Sequence, residues 1–595
     1  DARFGVAFHC AEYNGAVFLM RATLFCPFIK RLQRGLSCLS FCAALFVAFT
    51  QDQSSAAQGP DLPNGARITV VGSALADVLL QDGFLETAFL ESFPEKNLAF
   101  RSLTIPGATV PRAESESAEV QQATLAQIST QIVWAFYGTT EALCANPDIA
   151  SFQTDLLAFA NRTLSGTSNS RPMRLVLFGP AAQEPPGDDV GLETNPRNAQ
   201  LKSASEAVAT VAKEVGVPFV DVYSATERLF ATRRQRAALV PKFFGLFQSA
   251  LTVHGYLPTT EGNRLLAPLI FEALTGAAPK RAPHLEAIRK ITTEKHLAWR
   301  RAFQQMPPAP TPKIWQPLED RASAFDALAW AHANGTPQEK ALPSPSAIAP
   351  SKPVIIATDA NSSPFASSDR FPELSTPIRT NWDAQGRLWV LCDSPNQDAG
   401  KLLVLGDLDG DGIADHCTIF AAELGAVTDF AFYCNGVLLI EDGDLWFLRD
   451  PKQSGRATQK ERLLTGLGIS TPTQAQQIAL NASGSVLVKA HASHRARIET
   501  PEGGLPEAAD AVYRLDPRSG HVEELHDFPF PEVAACLGGT DCGATFGALK
   551  NAGASVAQPS SKRARLAAFE GDSACFTCLD RTAGCQGSRH RIAPP

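Results

Sequence analysis

The body of the sequence lacks long apolar runs and an excess of positive charge. Hydrophobic residues make up 45% of the 595 residues. No run in the body of the chain reaches the roughly 18 apolar residues of a membrane span, which argues against an internal transmembrane helix. The formal net charge of −8 argues against nucleic acid as a general partner. A chain of this length is too long for a single core, so about two or three domains are expected.

The first 57 residues have the pattern of an export signal preceded by an upstream extension. Met20 would be the translational start, and the apolar stretch Leu36–Phe49 is followed by small residues at 54–57 that suit cleavage. Basic side chains precede the apolar stretch at Arg21, Lys30, Arg31 and Arg34. The pattern predicts a secreted or periplasmic protein. The alternative is an uncleaved signal anchor, which would then be the only membrane attachment.

A haem-attachment motif is also missing. Cys575 and Cys578 form a Cys-x-x-Cys pair, but Leu579 follows where c-type attachment needs His, so no haem is predicted in this chain. The pair lies in a tail, residues 531–595, that is rich in Ala, Gly, Ser and Arg and is predicted to be irregular or disordered.

Three of the thirteen cysteines, Cys392, Cys417 and Cys434, fall close together in a strand-rich region. One pair could form a disulfide in an oxidising compartment. Buried free thiols are the alternative.

Residues 66–276 alternate short apolar strands with helical segments. Helices are predicted at 75–93 and 200–215. Strands are predicted at Arg67–Val71, Asn97–Leu103, Gln131–Tyr137, Arg174–Phe178 and Pro218–Val222. This alternation is typical of a doubly wound α/β domain of three layers with a parallel sheet. Residues 277–365 follow with a charged helix at 283–305 and a Pro-rich linker.

Residues 366–530 consist of short β runs separated by turn residues. Gly386, Gly436 and Gly484 recur about 50 residues apart in similar segments, which is typical of β-propeller blades. About three blades fit before residue 530. The predicted fold class is therefore multidomain, with an α/β domain followed by a partial all-β propeller.

An acidic loop within this region predicts a calcium site. Asp407, Asp409, Asp411 and Asp415 stand at loop positions 1, 3, 5 and 9, and Gly412 stands at position 6, where a calcium loop turns sharply. The EF-hand pattern is only partly matched, because position 12 is a threonine rather than a glutamate. The flanking segments are strands, so a structural or ligand-organising Ca²⁺ is expected. The alternative is an acidic hairpin turn without metal.

The first domain resembles the SGNH (GDSL-like) hydrolase superfamily. Its first motif would be Gly-Asp-Ser-Leu, and this chain has Gly72-Ser73-Ala74-Leu75, which puts Ala74 at the nucleophile position. A methyl group cannot attack a carbonyl carbon. Ser73 is one place off. The resemblance implies that Gly107 supplies a backbone donor and that Thr140 replaces the usual Asn donor.

The last SGNH motif retains its histidine but not its acid. His254 matches the catalytic base, whereas the residue three positions earlier is Leu251 instead of Asp. Without that carboxylate the imidazole loses its orienting partner. Ester hydrolysis by the usual route is therefore not expected, and a binding or scaffolding role is favoured.

The order of parts resembles large secreted proteins of planctomycetes and verrucomicrobia that carry a membrane-bound dehydrogenase domain and a haem-binding motif. Phe371–Asp383, Asp444–Asp450 and Ala511–Pro517 also resemble that family's propeller, which is of the six-bladed sugar-dehydrogenase type. The resemblance implies binding or oxidation of a carbohydrate, polysaccharide or polyol outside the cytoplasm. His491 and His494 would lie in a propeller loop, where a histidine can act as a general base. No short motif reports whether a quinone cofactor binds.

Two alternatives remain open from the sequence. One is an active SGNH esterase on acylated polysaccharide, with Ser73 as nucleophile. The other is a non-catalytic interaction protein.

Overall fold

The computed structural model describes residues 62–530, except for 113, 169, 186–195, 240–249, 281–283, 309, 338–354, 358–363, 394–399, 470–475, 482–483, 491–494, 506–510 and 527–529. The predicted signal (residues 1–57), the predicted tail (531–595), His491 and His494 lie outside the described residues.

A five-stranded parallel sheet forms the centre of the N-terminal half. Its strands are β1 (Arg67–Gly72), β2 (Ala99–Thr104), β3 (Ile132–Phe136), β6 (Arg174–Phe178) and β7 (Phe219–Val220). They lie in the order β2-β1-β3-β6-β7 with every pairing parallel. This is the flavodoxin-like order of doubly wound sheets, in which ligand sites lie beyond the carboxyl ends of the strands. The α/β domain with a parallel sheet that was expected in this half is confirmed.

Helices cover both faces of this sheet, because its strands are apolar on both sides. Val71 and Val133 face one core, and Val70 and Trp134 face the other. The helices are α1 (Ala74–Gln81), α2 (Phe84–Ser92), α3 (Glu116–Gln127), α4 (Thr139–Leu143), α5 (Ile149–Ser165), α6 (Pro196–Val215), α7 (Val222–Leu239) and α8 (Thr260–Thr275). Two short hairpins, β4 (Thr167–Ser168) with β5 (Arg171–Pro172) and β8 (Thr252–Val253) with β9 (Leu257–Pro258), lie outside the sheet.

The single helix predicted over 75–93 is two helices in the structure. Gly83 breaks it with a φ of +72°, a conformation that favours glycine. A Cβ on Gly83 would lie 2.7 Å from the hydroxyl of Thr292, which belongs to another helix. Close packing against a distant segment therefore fixes the break, and local sequence does not reveal it.

Two further helices complete the α/β cores. Helix α9 (Leu285–Gln305) matches the predicted charged helix, whereas α10 (Pro312–Ala333) was not predicted. Pro312 occupies the first turn of α10, where its missing N–H costs nothing. Trp299 of α9 and Trp315 of α10 stack with ring centroids 5.9 Å apart inside one core. In the described part of the chain, no helix is long and apolar enough to cross a membrane.

Three four-stranded antiparallel sheets make up the C-terminal half. The hairpin β10 (Ile355–Ala357) with β11 (Pro364–Ser367) precedes them. The first sheet contains β12 (Thr376–Trp382), β13 (Leu388–Asp393), β14 (Gly400–Gly406) and β15 (His416–Leu424), and the second contains β16 (Val427–Tyr433), β17 (Gly436–Glu441), β18 (Asp444–Arg449) and β19 (Gln459–Leu464). The third contains β20 (Gln477–Leu480), β21 (Val486–Ala490), β24 (Ala511–Leu515) and β25 (Val522–Leu525), and a hairpin of β22 (Glu499–Thr500) with β23 (Gly503–Gly504) is inserted between β21 and β24.

The three repeated glycines lie at the turn from the first to the second strand of each sheet or, for Gly436, at the first residue after it. Gly386 and Gly484 have φ values of +77° and +81° there. Gly436 is required for another reason, because a Cβ would lie 2.6 Å from the carbonyl oxygen of Leu448. The repeat read from the sequence therefore marks three successive sheets.

One core is shared between the two halves of the described chain. Ala74 and Val78 of α1 pack in the same cluster as Leu438 and Ile440 of the second sheet. The second and third sheets therefore cover the end of the parallel sheet at which β1 leads into α1.

A buried charge network reinforces this junction. Arg300 of α9 forms ion pairs with Asp77 of α1, at 3.2 Å, and with Asp444 of β18, at 2.7 Å. Arg462 of β19 also pairs with Asp444, at 3.0 Å. The free-energy cost of burying these charges is offset because each of them has a partner of opposite charge.

Of the two alternatives for Cys392, Cys417 and Cys434, a disulfide between two of them is not formed. Cys392 and Cys417 are free, and Cys434 is disulfide-bonded, so the bridge does not join two of these three residues. Cys392 is the buried free thiol of the alternative interpretation, and burial raises the pKa of its thiol to about 12.

Candidate functional site

Ser73 and Ala74 lie directly after the first parallel strand, as the SGNH motif predicts. Ser73 is the N-cap residue of α1 and Ala74 is its first residue, and their exposed fractions are 2% and 1%. Gly72 before them is required, since a Cβ there would lie 2.1 Å from the carbonyl oxygen of Phe136. The methyl group of Ala74 thus occupies the nucleophile position of the motif.

Gly107 and Thr140 follow the next two strands of the sheet at the same edge. Gly107 lies in the loop after β2 with a φ of +69°, and Thr140 lies in α4, which follows β3. The hydroxyl of Thr140 is buried and finds no hydrogen-bond partner among the described residues. The structure therefore brings the predicted loops together at the carboxyl ends of the strands.

Glu499 fills the space between two of these loops. One of its carboxylate oxygens, Oε2, accepts hydrogen bonds from the backbone N–H of Ala74 at 2.8 Å and of Gly107 at 2.6 Å. Glu499 belongs to the hairpin inserted in the third sheet and is 2% exposed. Two convergent backbone amides are what an oxyanion hole offers to a developing negative charge. Here a carboxylate of the same chain already occupies them.

The electrostatics of Glu499 reflect its burial. Loss of solvent raises the pKa of Glu499 to about 7, although the two amide donors favour the charged form. The nearby carboxylates of Glu141 and Asp77 raise the pKa further. Tyr256 donates its hydroxyl proton to the backbone oxygen of Glu499 at 2.6 Å, and burial raises the pKa of Tyr256 well above its ordinary value.

Further contacts hold the hairpin in place. Gln183 donates to the carbonyl oxygen of Pro501 at 2.7 Å, and Arg197 pairs with Glu502 at 2.5 Å. Gly504 lies so close to the Gly107 loop that a Cβ would meet the carbonyl oxygen of Gly107 at 2.4 Å. The Gly-Gly strand therefore permits an approach that other residues would prevent.

A small cavity lies beside Glu499. Space for the centre of a water-sized sphere amounts to about 20 Å³, which is enough for roughly one water molecule. Its walls include Ala74, Gln183, Tyr256 and Glu499.

His254 contacts the third sheet, at residues that follow β24. Its Nε2 lies 2.8 Å from the carbonyl oxygen of Pro517, and its ring packs on Gly520, where a Cβ would lie 2.5 Å from the imidazole. The position three residues earlier is the buried apolar Leu251, as the sequence indicates. The contacts of His254 thus join it to the turn between β24 and β25.

The acidic loop connects β14 to β15 in the first sheet. Carboxylate oxygens of Asp407, Asp409 and Asp415 lie within 4.8 Å of one another, and Asp411 is not part of that group. Asp407 also accepts from the backbone N–H of Gly410 and Gly412, at 2.7 and 2.9 Å. Three oxygens at this spacing fit a hard cation that takes its other ligands from water or backbone.

Comparisons with known proteins fall into two groups. Residues 358–534 match the family model of a domain of unknown function, DUF7133. No curated protein sequence matches the chain.

Solved structures resemble a little over a third of the chain. An acetylxylan esterase from Geobacillus stearothermophilus has 15% identity and a TM-score of 0.29, over 37% of this chain and 99% of the esterase. A catalytic mutant of that esterase gives 16% identity and the same TM-score, over 37% and 98%. A gut microbial diltiazem-metabolizing enzyme has 15% identity and a TM-score of 0.27, over 36% and 47%.

Proposed function

We propose that this protein is a non-hydrolytic, extracytoplasmic protein whose α/β domain is a scaffold for sheets that bind or oxidise a carbohydrate or polyol. The observation that carries the scaffold role is the Glu499 carboxylate between the amides of Ala74 and Gly107. That contact closes the hydrolase-like site and joins it to the third sheet.

The absence of a nucleophile supports the same proposal. Acyl transfer needs an attacking oxygen beside a base, and Ala74 offers a methyl group. Ser73 is buried at the helix N-cap, and His254 bonds to the backbone of Pro517 and packs on Gly520. Ser73 thus caps a helix, and His254 packs against the turn between β24 and β25.

We propose that the three sheets are consecutive blades of a six-bladed type of propeller. The first strands of neighbouring sheets pack against each other, β12 on β16 and β16 on β20, as blades do around a common axis. Arg379 on β12 pairs with Asp429 on β16 at 2.8 Å, and Asp429 accepts from the backbone N–H of Ile478 on β20 at 2.8 Å. One buried carboxylate thereby links all three first strands.

The dehydrogenase resemblance of this region supports a carbohydrate or polyol ligand, with His491 and His494 as candidate bases outside the described residues. Calorimetric titration of the full-length protein with oligosaccharides and polyols tests binding, and dye-linked oxidation tests turnover. If neither binding nor turnover is found, the alternative of a non-catalytic interaction protein is favoured.

A probe for reactive serines tests the non-hydrolytic claim. Wild type, Ser73→Ala and Glu499→Ala are incubated with a fluorophosphonate and with an aryl acetate. We expect no labelling and no turnover above buffer for any of them, because Ala74 carries no hydroxyl and Ser73 is buried at the N-cap of α1. Labelling of wild type that Ser73→Ala abolishes would establish the esterase alternative instead.

We further propose that Asp407, Asp409 and Asp415 bind one Ca²⁺ that stiffens the β14–β15 turn. The proximity of the three carboxylates supports this, because like charges this close repel each other without a cation. Chelator should lower the melting temperature of wild type. Asp409→Asn should abolish that effect, while the matched change Asp411→Asn, outside the group, should preserve it. An unchanged melting temperature in chelator would rule out a bound ion.

Export is the remaining part of the proposal. It is supported by the basic and apolar pattern of residues 1–57. Fusion of these residues to a reporter that is active only outside the cytoplasm tests it, and a silent reporter would count against export.

A further inference from the structure

We propose that the backbone amides of Ala74 and Gly107 form a carboxylate-binding site that Glu499 occupies as an internal ligand, and that takes a small free carboxylate such as acetate once the Glu499 side chain is truncated. This goes beyond the scaffold role, because it assigns a ligand class to the closed site. It stands whether or not the sheets bind a carbohydrate.

The site is built from two separate elements that converge on one oxygen atom. The Ala74 amide is at the start of α1, and the Gly107 amide comes from the loop after β2. Both donate to Oε2 of Glu499, at 2.8 and 2.6 Å. Because both donors are backbone groups fixed by adjacent parallel strands, their geometry does not depend on side-chain rotamers.

The carboxylate in the site is held although its surroundings are unfavourable to charge. It is buried, and the carboxylates of Glu141 and Asp77 are close enough to disfavour its ionisation. The hydroxyl of Tyr256 faces the backbone of Glu499, and its donor hydrogen bond goes to the backbone oxygen. The two amides are therefore the groups that compensate the side chain.

The size of the ligand follows from the side chain that occupies the site. Beyond its Cβ, glutamate consists of a CH₂ group and a carboxylate, which together have the heavy atoms of acetate. Truncation of Glu499 to alanine would leave an acetate-sized space in front of both amides. The adjoining cavity of about 20 Å³ adds little more, so acids of about two or three carbons are the class that fits.

The rest of the hairpin is attached by contacts that do not involve the carboxylate. Gln183 holds Pro501, and the half-exposed pair of Arg197 with Glu502 lies at the rim, each side chain 39% exposed. These contacts therefore continue to hold the hairpin backbone when the Glu499 carboxylate is removed. Glu502, on the same hairpin, is the position for a matched control.

Thermal melting in acetate tests the proposal. Full-length wild type, Glu499→Ala and Glu502→Ala are melted at pH 6 in increasing sodium acetate and in sodium chloride of equal ionic strength. We expect a saturable rise in the melting temperature of Glu499→Ala in acetate over chloride, because a ligand that binds only the folded state stabilises it. Wild type and Glu502→Ala should respond equally to the two salts.

Either of two results would overturn the proposal: an equal response of Glu499→Ala to acetate and chloride, or an acetate response of the same size in Glu502→Ala. If Glu499→Ala does not fold in buffer, its refolded yield in acetate against chloride becomes the readout. A higher yield in acetate supports the site, and equal yields refute it.

Discussion

At the scale of single residues, one carboxylate occupies the two backbone amides at the carboxyl ends of β1 and β2. Glu499 bonds to Ala74 and Gly107, which are 425 and 392 positions away in the sequence. Local strand–turn–helix patterns in the sequence place Ala74 and Gly107 in the loops after β1 and β2. Glu499 has no local signal, since an acidic residue before a turn usually faces water. Its role follows only from the packing of one half of the chain on the other.

The raised pKa of Glu499 makes stability depend on pH. Burial holds that pKa at about 7, above the ordinary value of 4.5, so the folded state binds this proton more tightly than the unfolded chain does. The stabilising contribution is complete below pH 4.5 and is lost as the pH rises through about 7. Glu499→Gln has no such proton. We therefore expect the unfolding free energy of wild type, relative to Glu499→Gln, to fall by about 3 kcal/mol between pH 4.5 and pH 8.

Urea unfolding of both proteins across this pH range measures the difference. Titrating groups that do not interact with Glu499, such as the buried Asp429, are common to both proteins and cancel. A difference that stays constant with pH would show that Glu499 titrates as an exposed carboxylate.

At the scale of elements, the sequence predicts most strands and several helices, but not the helix ends that are set by contacts with distant segments. The parallel strands are found because each is a short apolar run, and the repeated glycines mark the first turn of each antiparallel sheet. The break at Gly83 and helix α10 were not predicted, because one depends on contact with Thr292 and the other begins with a proline that reads as a stop.

Helix α9 ties the α/β domain to the second sheet through Arg300. Its side chain, 4% exposed, lies between the buried carboxylates of Asp77 and Asp444. Arg300→Ala removes one ion-pair partner from each of these two buried carboxylates, so we expect a loss of about 3–5 kcal/mol in unfolding free energy. Arg264→Ala, in the exposed pair with Glu261, should cost about 1 kcal/mol or less. If urea unfolding showed the same loss of unfolding free energy for both variants, the buried Arg300 network would contribute no more to stability than an exposed ion pair.

At the scale of the whole molecule, the shared core and the Glu499 hairpin make two architectures into one unit. Ala74 and Val78 belong to the same cluster as residues of the second and third sheets. The parallel sheet alone therefore does not decide what the protein does, because fold and function are separable.

This integration predicts cooperative unfolding. Differential scanning calorimetry of the full-length protein should show one main transition in which the α/β domain and the sheets unfold together. The physical reason is that neither half keeps its buried surface without the other. Two well-separated transitions would show that the halves are independently stable domains.

Amide hydrogen exchange at Ala74 and Gly107 tests the central claim most directly. In wild type both amides should be strongly protected, and in Glu499→Ala both should exchange about tenfold faster or more, since a hydrogen bond to a charged group contributes about 1.5–3 kcal/mol. The amide of Gly138, which donates to Glu141 at 3.0 Å, is the internal control and should not change. Rapid exchange of Ala74 and Gly107 in wild type would contradict the account, because it would show an open site that Glu499 does not occupy.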